Sequence, residues 1–132
     1  MPTIITQPKV EIDRDILRKF REQIQEAGQV VIHCISTDTF GWGMHIRIWP
    51  TTFLLDQGSS HRSEMVHVEN IVLAPNWQYL TPKEKLHYSL IFNGLPKACT
   101  MFDLIEFGEG QNCFSALNIA RNESDVYYVK LN

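Results

Sequence analysis

The chain has 132 residues, of which 44% are hydrophobic and 20% are charged; this is the composition of one globular domain and excludes disordered, collagen-like and coiled-coil chains. Twelve Lys and Arg residues against fifteen Asp and Glu residues give a net charge of −3, so a nucleic-acid partner, which favours a basic excess, is not expected. Because no apolar run approaches the roughly 20 residues that span a bilayer and no secretory signal pattern is visible, we expect a soluble, cytoplasmic protein without a membrane partner.

One amphipathic helix is predicted near the N-terminus, over residues 13–27. Asp13 can accept the free N–H groups of a first turn, and Gly28 can take the left-handed backbone angles that end a helix. Between them, apolar residues recur at helical spacing: Ile16, Leu17, Phe20, Ile24 and Ala27. Since a helix of this length is marginal alone, we expect its apolar stripe to pack on the rest of the domain.

Beyond Gly28 the hydrophobic pattern changes from helical to alternating, which predicts strands. Pro50 is expected to bend or interrupt its strand, because proline donates no N–H to the ladder. A bulge is expected near Glu69 and Asn70, where the alternation slips, and residues 74–85 are predicted to form a loop. The predicted strands cover residues 30–36, 44–49 continuing through 51–55, 65–73, 86–92, 101–107, 113–120 and 126–131.

Seven strands without helical crossovers predict one mainly β domain over residues 1–132. We expect an antiparallel β-sandwich of immunoglobulin-like size over residues 30–131, with the helix covering one edge or one end. The alternative is an α+β roll, in which the helix lies across a single curved sheet.

Six short stretches in the last two thirds of the chain carry a resemblance to other proteins. They are IRIWPTTFL at 46–54, VENI at 68–71, LIFNGLP at 90–96, FDLIE at 102–106, NIARN at 118–122 and DVYYV at 125–129. In these stretches the chain resembles an uncharacterised family of small bacterial immunoglobulin-like β-sandwich proteins. The resemblance implies the sandwich fold, and it implies no reaction, ligand or functional residue.

The three cysteines predict reduced thiols, since none of their spacings is the C-x-x-C of a zinc or redox motif. On a hairpin, Cys99 and Cys113 are expected about 24 Å apart, beyond the ~7 Å that a disulfide spans. Cys34 is predicted to be a small core residue. Its neighbour His33 points to the other face of the strand, which argues against a Cys–His pair.

Three histidines are the candidate metal ligands. His45, His67 and His87 alternate with core-directed residues, so all three are predicted on outward faces. If their strands are neighbours, the imidazoles converge on a zinc-like ion, with Glu64 or Glu69 as a fourth ligand. We favour the interpretation of separate surface histidines, because spacings of about twenty residues do not by themselves bring ligands together.

The loop at residues 38–43 is the candidate ligand-binding site. Glycines on both sides of Trp42 permit an exposed aromatic tip, and Phe40, Trp42 and Trp77 suit a sugar ring or a peptide side chain. In the alternative, these aromatic side chains fold back and cover the end of the sandwich.

One ridge of the predicted helix carries a cluster of positive charge. Arg14, Arg18 and Arg21 form a candidate site for a phosphate or an acidic partner. In the alternative they belong to an ordinary solvated helix face, on which Glu22 pairs with Arg18.

These patterns predict a non-catalytic β-sandwich module for protein–protein interaction or self-association, with an unidentified protein or a second copy of the chain as partner. No nucleophile–base pair is specified by the sequence, so an enzyme is the less favoured interpretation and no cofactor is expected. Two alternatives stay open. One is a small metal-dependent hydrolase or lyase that uses the histidines; the other is a carbohydrate or small-ligand binder that uses the Phe40–Trp42 loop.

Overall fold

A computed structural model describes residues 3–5, 28–38, 40–109 and 113–131. The regular structure in these ranges consists of strands, and no helix in them is long and apolar enough to cross a membrane. The predicted helix over residues 13–27 lies outside the described residues. The strands are β1 (Thr3–Ile5), β2 (Gln29–Thr37), β3 (Met44–Ile46), β4 (Thr52–Asp56), β5 (Arg62–Glu69), β6 (Gln78–Leu80), β7 (Lys85–Asn93), β8 (Met101–Glu106), β9 (Ser115–Ala120) and β10 (Val126–Lys130).

Eight of these strands form one sheet in the order β1-β10-β2-β7-β5-β4-β8-β9, and β3 pairs with β6 in a separate two-stranded ribbon. The two ends of the order, β1 and β9, approach each other, so the sheet curls on itself. The prediction of a mainly β chain is confirmed. The prediction of a purely antiparallel arrangement is wrong at one pair, since β10 runs parallel to β2. Alternation shows which face a residue takes and carries no information about strand direction.

Three local features differ from the sequence predictions or refine them. The expected interruption at Pro50 separates β3 from β4. The predicted loop over residues 74–85 contains β6, whose three residues pair with β3. The bulge lies between Met65 and His67, earlier than predicted, and Asn70 takes a positive φ of 62° just after β5 ends. Asparagine tolerates this conformation better than most residues, because its short side chain bonds locally.

The core lies on the inward face of the curled sheet, where every second residue of the strands is apolar. Each such side chain contributes about 1.5–3 kcal/mol by leaving water. The most deeply buried members are Val30, Ile32, Leu54, Leu80, Leu90, Phe92, Phe102, Leu104, Ile119 and Val129.

A buried ion pair closes the corner between β9 and β10, and we name it the Arg121 corner, made by Arg121, Asp125 and Tyr127. The Arg121 guanidinium donates to both carboxylate oxygens of Asp125, at 2.5 and 2.8 Å. It also donates to the carbonyls of Pro96 and Cys99, at 2.8 and 3.3 Å, and the Tyr127 hydroxyl donates to Asp125 at 2.9 Å. Asp125 raises the pKa of Arg121 by accepting these bonds, and burial raises the pKa of Tyr127.

Candidate functional site

The β3–β6 ribbon separates two environments. Its register places Met44 opposite Leu80 and His45 opposite Tyr79. Because neighbouring strand residues alternate between faces, Met44 and Ile46 pack against the core, whereas His45 and Tyr79 are exposed. The outward face of the ribbon is therefore the part of the described chain where exposed aromatic residues gather.

We name this surface the aromatic stripe, and its members come from the ribbon and the two segments that flank it. The indole of Trp42 is 83% exposed and the ring of Phe40 is 78% exposed, followed by Trp77 at 58% and Tyr79 at 52%. Large apolar side chains exposed side by side mark an interaction surface more often than they mark a stable free surface. The stripe consists of Phe40, Trp42, His45, Arg47, Trp49, Trp77 and Tyr79.

Ring contacts hold the centre of the aromatic stripe together. The His45 ring lies 5.3 Å from the Tyr79 ring. It lies 6.5 Å from the Trp77 ring, at an interplanar angle of 80°. Edge-to-face pairs at such distances add about 0.5–1.5 kcal/mol beyond the area that they bury. The rings are thus positioned before any partner arrives.

A stacked arginine occupies the next position of the stripe. The Arg47 guanidinium lies 3.8 Å from the centre of the Trp77 ring and 4.8 Å from that of Trp49. Its Nη1 donates to the carbonyl of Pro75 at 3.0 Å, while its buried Nε has no hydrogen-bond partner among the described residues. The guanidinium thus contacts two indole rings and retains one buried donor that no described residue uses.

The loop at one end of the stripe is held by a buried carboxylate. Asp38, which is 5% exposed, accepts the N–H of Phe40 at 3.1 Å and that of Gly43 at 2.5 Å. Gly43 has a φ of 86°, and a Cβ there would overlap the Tyr79 ring. Glycine is therefore required at this position both for the backbone angle and for the close approach of the ring.

The two aromatic residues of this loop stack on each other. The ring centres of Phe40 and Trp42 are 6.1 Å apart, and the ring planes differ by 28°. Both rings are exposed, so they do not cover the end of the sheet as the alternative interpretation had it. The structure brings Phe40 and Trp42 together, whereas Trp77 directly precedes β6 and contacts the His45 ring.

The stripe continues past Trp49 into an open hollow of about 640 Å³. On its floor the Phe53 and Phe107 rings lie 5.8 Å apart, and the Arg62 guanidinium lies 4.1 Å from the Phe53 ring. Glu109 provides a carboxylate at the same rim. A chain laid along the stripe therefore has further apolar surface at this end.

The three histidines that were candidate metal ligands are not brought together. His45 lies in the ribbon, His67 in β5 and His87 in β7, and His67 is 3.7 Å from Glu69 in an exposed pair. Among residues 3–5, 28–38, 40–109 and 113–131, no group of three His, Cys, Asp or Glu side chains could hold a metal ion. The metal hypothesis required neighbouring strands, and β3 pairs outside the main sheet.

Cys34 and Cys99 are free thiols and both are buried. Burial raises the pKa of both thiols, so they stay protonated and are poor nucleophiles. The prediction that Cys34 is a core residue is confirmed. Cys113 accepts the N–H of Gly108 at 2.8 Å.

Some of the predicted site residues lie outside the described ranges, and some residues of the observed site were not predicted. The arginine ridge of Arg14, Arg18 and Arg21 lies outside the described residues. Arg47 and Tyr79 are functional-site residues that the sequence pattern does not connect with the aromatic loop. The alternation of His45 and Arg47 with apolar residues is visible in the sequence, whereas the opposing strand β6 has only three residues inside a proline-containing segment.

Comparisons with protein families, with curated proteins and with solved structures give no match to this chain. The resemblance to small bacterial immunoglobulin-like proteins stays a prediction.

Proposed function

We propose that this protein is a non-catalytic interaction module whose aromatic stripe binds an extended, proline-containing segment of a partner protein. The observation that carries the proposal is the exposed Trp77 and Tyr79 rings beside the stacked Arg47, together with the exposed Phe40–Trp42 pair in the loop that precedes β3. Trp, Tyr and Arg are the residue types that dominate the binding energy of protein interfaces. The bonds to Asp38 and the ring contacts hold these rings in place, which lowers the entropy cost of binding.

The hydrogen-bonding character of the stripe indicates the kind of partner. Tryptophan and arginine side chains carry hydrogen-bond donors and no acceptors. A polyproline II segment has no internal hydrogen bonds, so its carbonyls are free to accept, and its flat rings stack on aromatic faces. Donors and ring faces on the stripe thus match acceptors and apolar rings on such a segment.

A carbohydrate suits the stripe less well. Sugar hydroxyls donate as well as accept, and they need acceptors on the protein. The seven side chains of the stripe include no carboxylate and no amide, so acceptors are limited to the Tyr79 hydroxyl, the His45 ring and backbone carbonyls.

Self-association through the stripe is also less favoured. A symmetric dimer uses the same patch twice, and a contact centred on Arg47 would bring two guanidinium groups together. Like charges in a desolvated interface cost several kcal/mol. A partner that supplies carbonyl groups avoids this repulsion.

Two broader expectations accompany the proposal. We infer an immunoglobulin-like sandwich for the curled sheet, supported by its many short strands and the approach of its two ends. A cytoplasmic location is supported by the free thiols of Cys34 and Cys99, since disulfides are rare in that compartment.

The test uses decaproline as the probe, with a soluble chitin hexasaccharide as the competing class of ligand. We expect decaproline to change the tryptophan fluorescence saturably, and the Trp77→Ala and Tyr79→Ala variants to bind at least tenfold more weakly. Leu117→Ala is the matched control, because Leu117 is 54% exposed but lies in β9, outside the stripe. Its affinity should equal that of the wild type.

Two results would contradict the proposal. Binding of the hexasaccharide without binding of decaproline would assign the stripe to a carbohydrate. A dimer that sediments as a monomer once Trp77 is replaced by alanine would assign it to self-association.

A further inference from the structure

A cavity of about 380 Å³ lies on the inner side of the same ribbon, between β3 and the main sheet. Its apolar wall is made by Met44, Ile46, Ile48, Ile71, Phe114 and Leu131. Ile48, Ile71 and Leu131 are buried, whereas Met44, Ile46 and Phe114 are only partly covered. The cavity is therefore deep on the side of the sheet and accessible on the side of the ribbon.

The size of this cavity separates it from an ordinary packing defect. Protein interiors contain few voids larger than a water molecule. An apolar cavity of roughly 150 Å³ is enough to bind benzene, and small-molecule sites begin near about 300 Å³. A volume of about 380 Å³ is in the range of a ligand site.

One hydroxyl pair gives the cavity a polar end. Ser36 and Tyr88, both lining it and both buried, are joined by a hydrogen bond of 2.8 Å between their hydroxyl oxygens. Ser36 donates its only proton to the carbonyl of Leu131 at 3.1 Å. Tyr88 must therefore be the donor in the Ser36–Tyr88 bond, and no hydroxyl proton of the pair is left over.

The directions of these two hydrogen bonds determine which ligand groups the polar end of the cavity can recognise. The Tyr88 hydroxyl already donates its hydrogen bond to Ser36. Its oxygen keeps lone pairs that no described residue uses, so it can accept a hydrogen bond from a ligand. Burial raises the pKa of Tyr88, which keeps the hydroxyl neutral. A ligand group that donates is therefore matched at the Tyr88 oxygen, whereas a group that only accepts finds no free proton on the Ser36–Tyr88 pair.

We propose that this cavity is a second binding site, which takes a small, mainly apolar molecule carrying one hydroxyl or N–H donor, such as a phenol. The apolar wall buries the body of the molecule, and the Tyr88 oxygen accepts its donor. The cavity shares one residue, Arg47, with the aromatic stripe. The proposal does not depend on the function of the stripe, because the apolar wall and the Ser36–Tyr88 pair contain no other member of it.

The test compares p-cresol with toluene, which has the same ring and methyl group but no donor. Calorimetry of the wild type should show p-cresol binding about three- to tenfold more tightly, the effect of one net hydrogen bond. In nuclear Overhauser spectra, both probes should contact the methyl groups of Ile46 and Ile71.

A double variant isolates the polar end. Ser36→Ala/Tyr88→Phe removes both hydroxyls, so toluene should still bind and the preference for p-cresol should fall to about one. The matched control is Ser63→Ala/Tyr127→Phe, which removes another buried serine and tyrosine hydroxyl pair that does not line the cavity. It should keep the preference.

The proposal is overturned if neither probe binds the wild type up to its solubility limit, or if toluene binds as tightly as p-cresol. It is also overturned if the Overhauser contacts lie outside the cavity. This measurement needs only the wild type, so the proposal can be tested even if the double variant does not fold.

Discussion

Two arginines in this protein occupy opposite kinds of surroundings. Arg121 is almost enclosed, with its side chain 10% exposed, and its guanidinium donates to Asp125 and to two backbone carbonyls. Arg47 lies between the indoles of Trp49 and Trp77, donates to one carbonyl, and keeps its Nε without a partner.

The difference teaches how to separate stability from recognition in this chain. Satisfied donors and a buried counter-ion at Arg121 leave nothing for a ligand, so that corner contributes to folding. The exposed rings beside Arg47 form a surface that contributes its binding energy only when a partner covers it. Variants of the first region should alter the free energy of unfolding, and variants of the second should alter affinity.

The largest expected effect is the loss of the buried ion pair. Arg121→Met leaves the Asp125 carboxylate buried without its partner, so the free energy of unfolding should fall by about 3–5 kcal/mol. Arg47→Met, the matched change in the aromatic stripe, should lower it by about 1 kcal/mol or less, the size of an exposed cation–π contact. Urea unfolding followed by circular dichroism measures both. Equal losses would remove the distinction between the two arginines.

The second effect concerns the close approach of two backbone segments at Gly28 and Gly94. A Cβ at Gly94 would lie 2.9 Å from the Cα of Gly28, where the start of β2 passes the end of β7. Gly94→Ala should therefore cost about 1–3 kcal/mol through forced displacement of the backbone. Gly58→Ala is the control, because its Cβ would meet only Asp56, at 3.5 Å. If Gly94→Ala unfolds at the same urea concentration as the wild type, the close approach has no energetic weight.

The third effect should appear in affinity. Gly43→Ala pushes a methyl group into the Tyr79 ring, which must move out of the stripe. We expect decaproline to bind about tenfold more weakly, equivalent to about 1.4 kcal/mol. Gly41 also has a positive φ, of 77°, but a Cβ there meets nothing within 4 Å. Gly41→Ala therefore introduces the same kind of backbone strain as Gly43→Ala but no collision with the Tyr79 ring. It should lose much less affinity for decaproline than Gly43→Ala.

The smallest effect is a difference in pH dependence between two buried carboxyl groups of the main sheet, Asp56 in β4 and Glu106 in β8. Hydrogen bonds from Ser59 and from the Gly58 N–H lower the pKa of Asp56. Its stabilising contribution is thus present above the carboxylate's unfolded pKa and is lost as the pH falls. Asp56→Asn should cost most stability near pH 7 and progressively less toward pH 2.

Glu106 should behave in the opposite sense. Burial raises the pKa of this carboxyl group, although one of its oxygens accepts the Trp49 N–H at 2.9 Å. The contribution of Glu106 to the free energy of unfolding is present at low pH and is lost as the pH rises through the raised pKa. The stability of Glu106→Gln relative to the wild type should therefore be higher at pH 7 than at pH 4. Thermal unfolding at several pH values gives both curves, and parallel curves for the two variants would contradict these assignments.

Part of the candidate site was open to prediction from the sequence. Glycines around Trp42 predicted an exposed aromatic tip, and the structure places Phe40 and Trp42 there with their rings stacked. The link to Trp77 and Tyr79 depends on β6, and a three-residue strand has too short a pattern to be recognised. The unused donor of Arg47 is a property of packing and leaves no mark in the sequence.

What the sequence by itself determined is the inward and outward sorting of side chains beyond Gly28. Alternation acts between neighbouring residues, so a run such as residues 30–36 already shows that Cys34 is buried and His33 faces the other way. Only the tertiary structure decided the parallel pairing of β10 with β2, the separation of the β3–β6 ribbon from the main sheet, and the distance of His45 from the other two histidines. These depend on contacts between residues far apart in the chain, and such contacts are selected by the packing of the whole core.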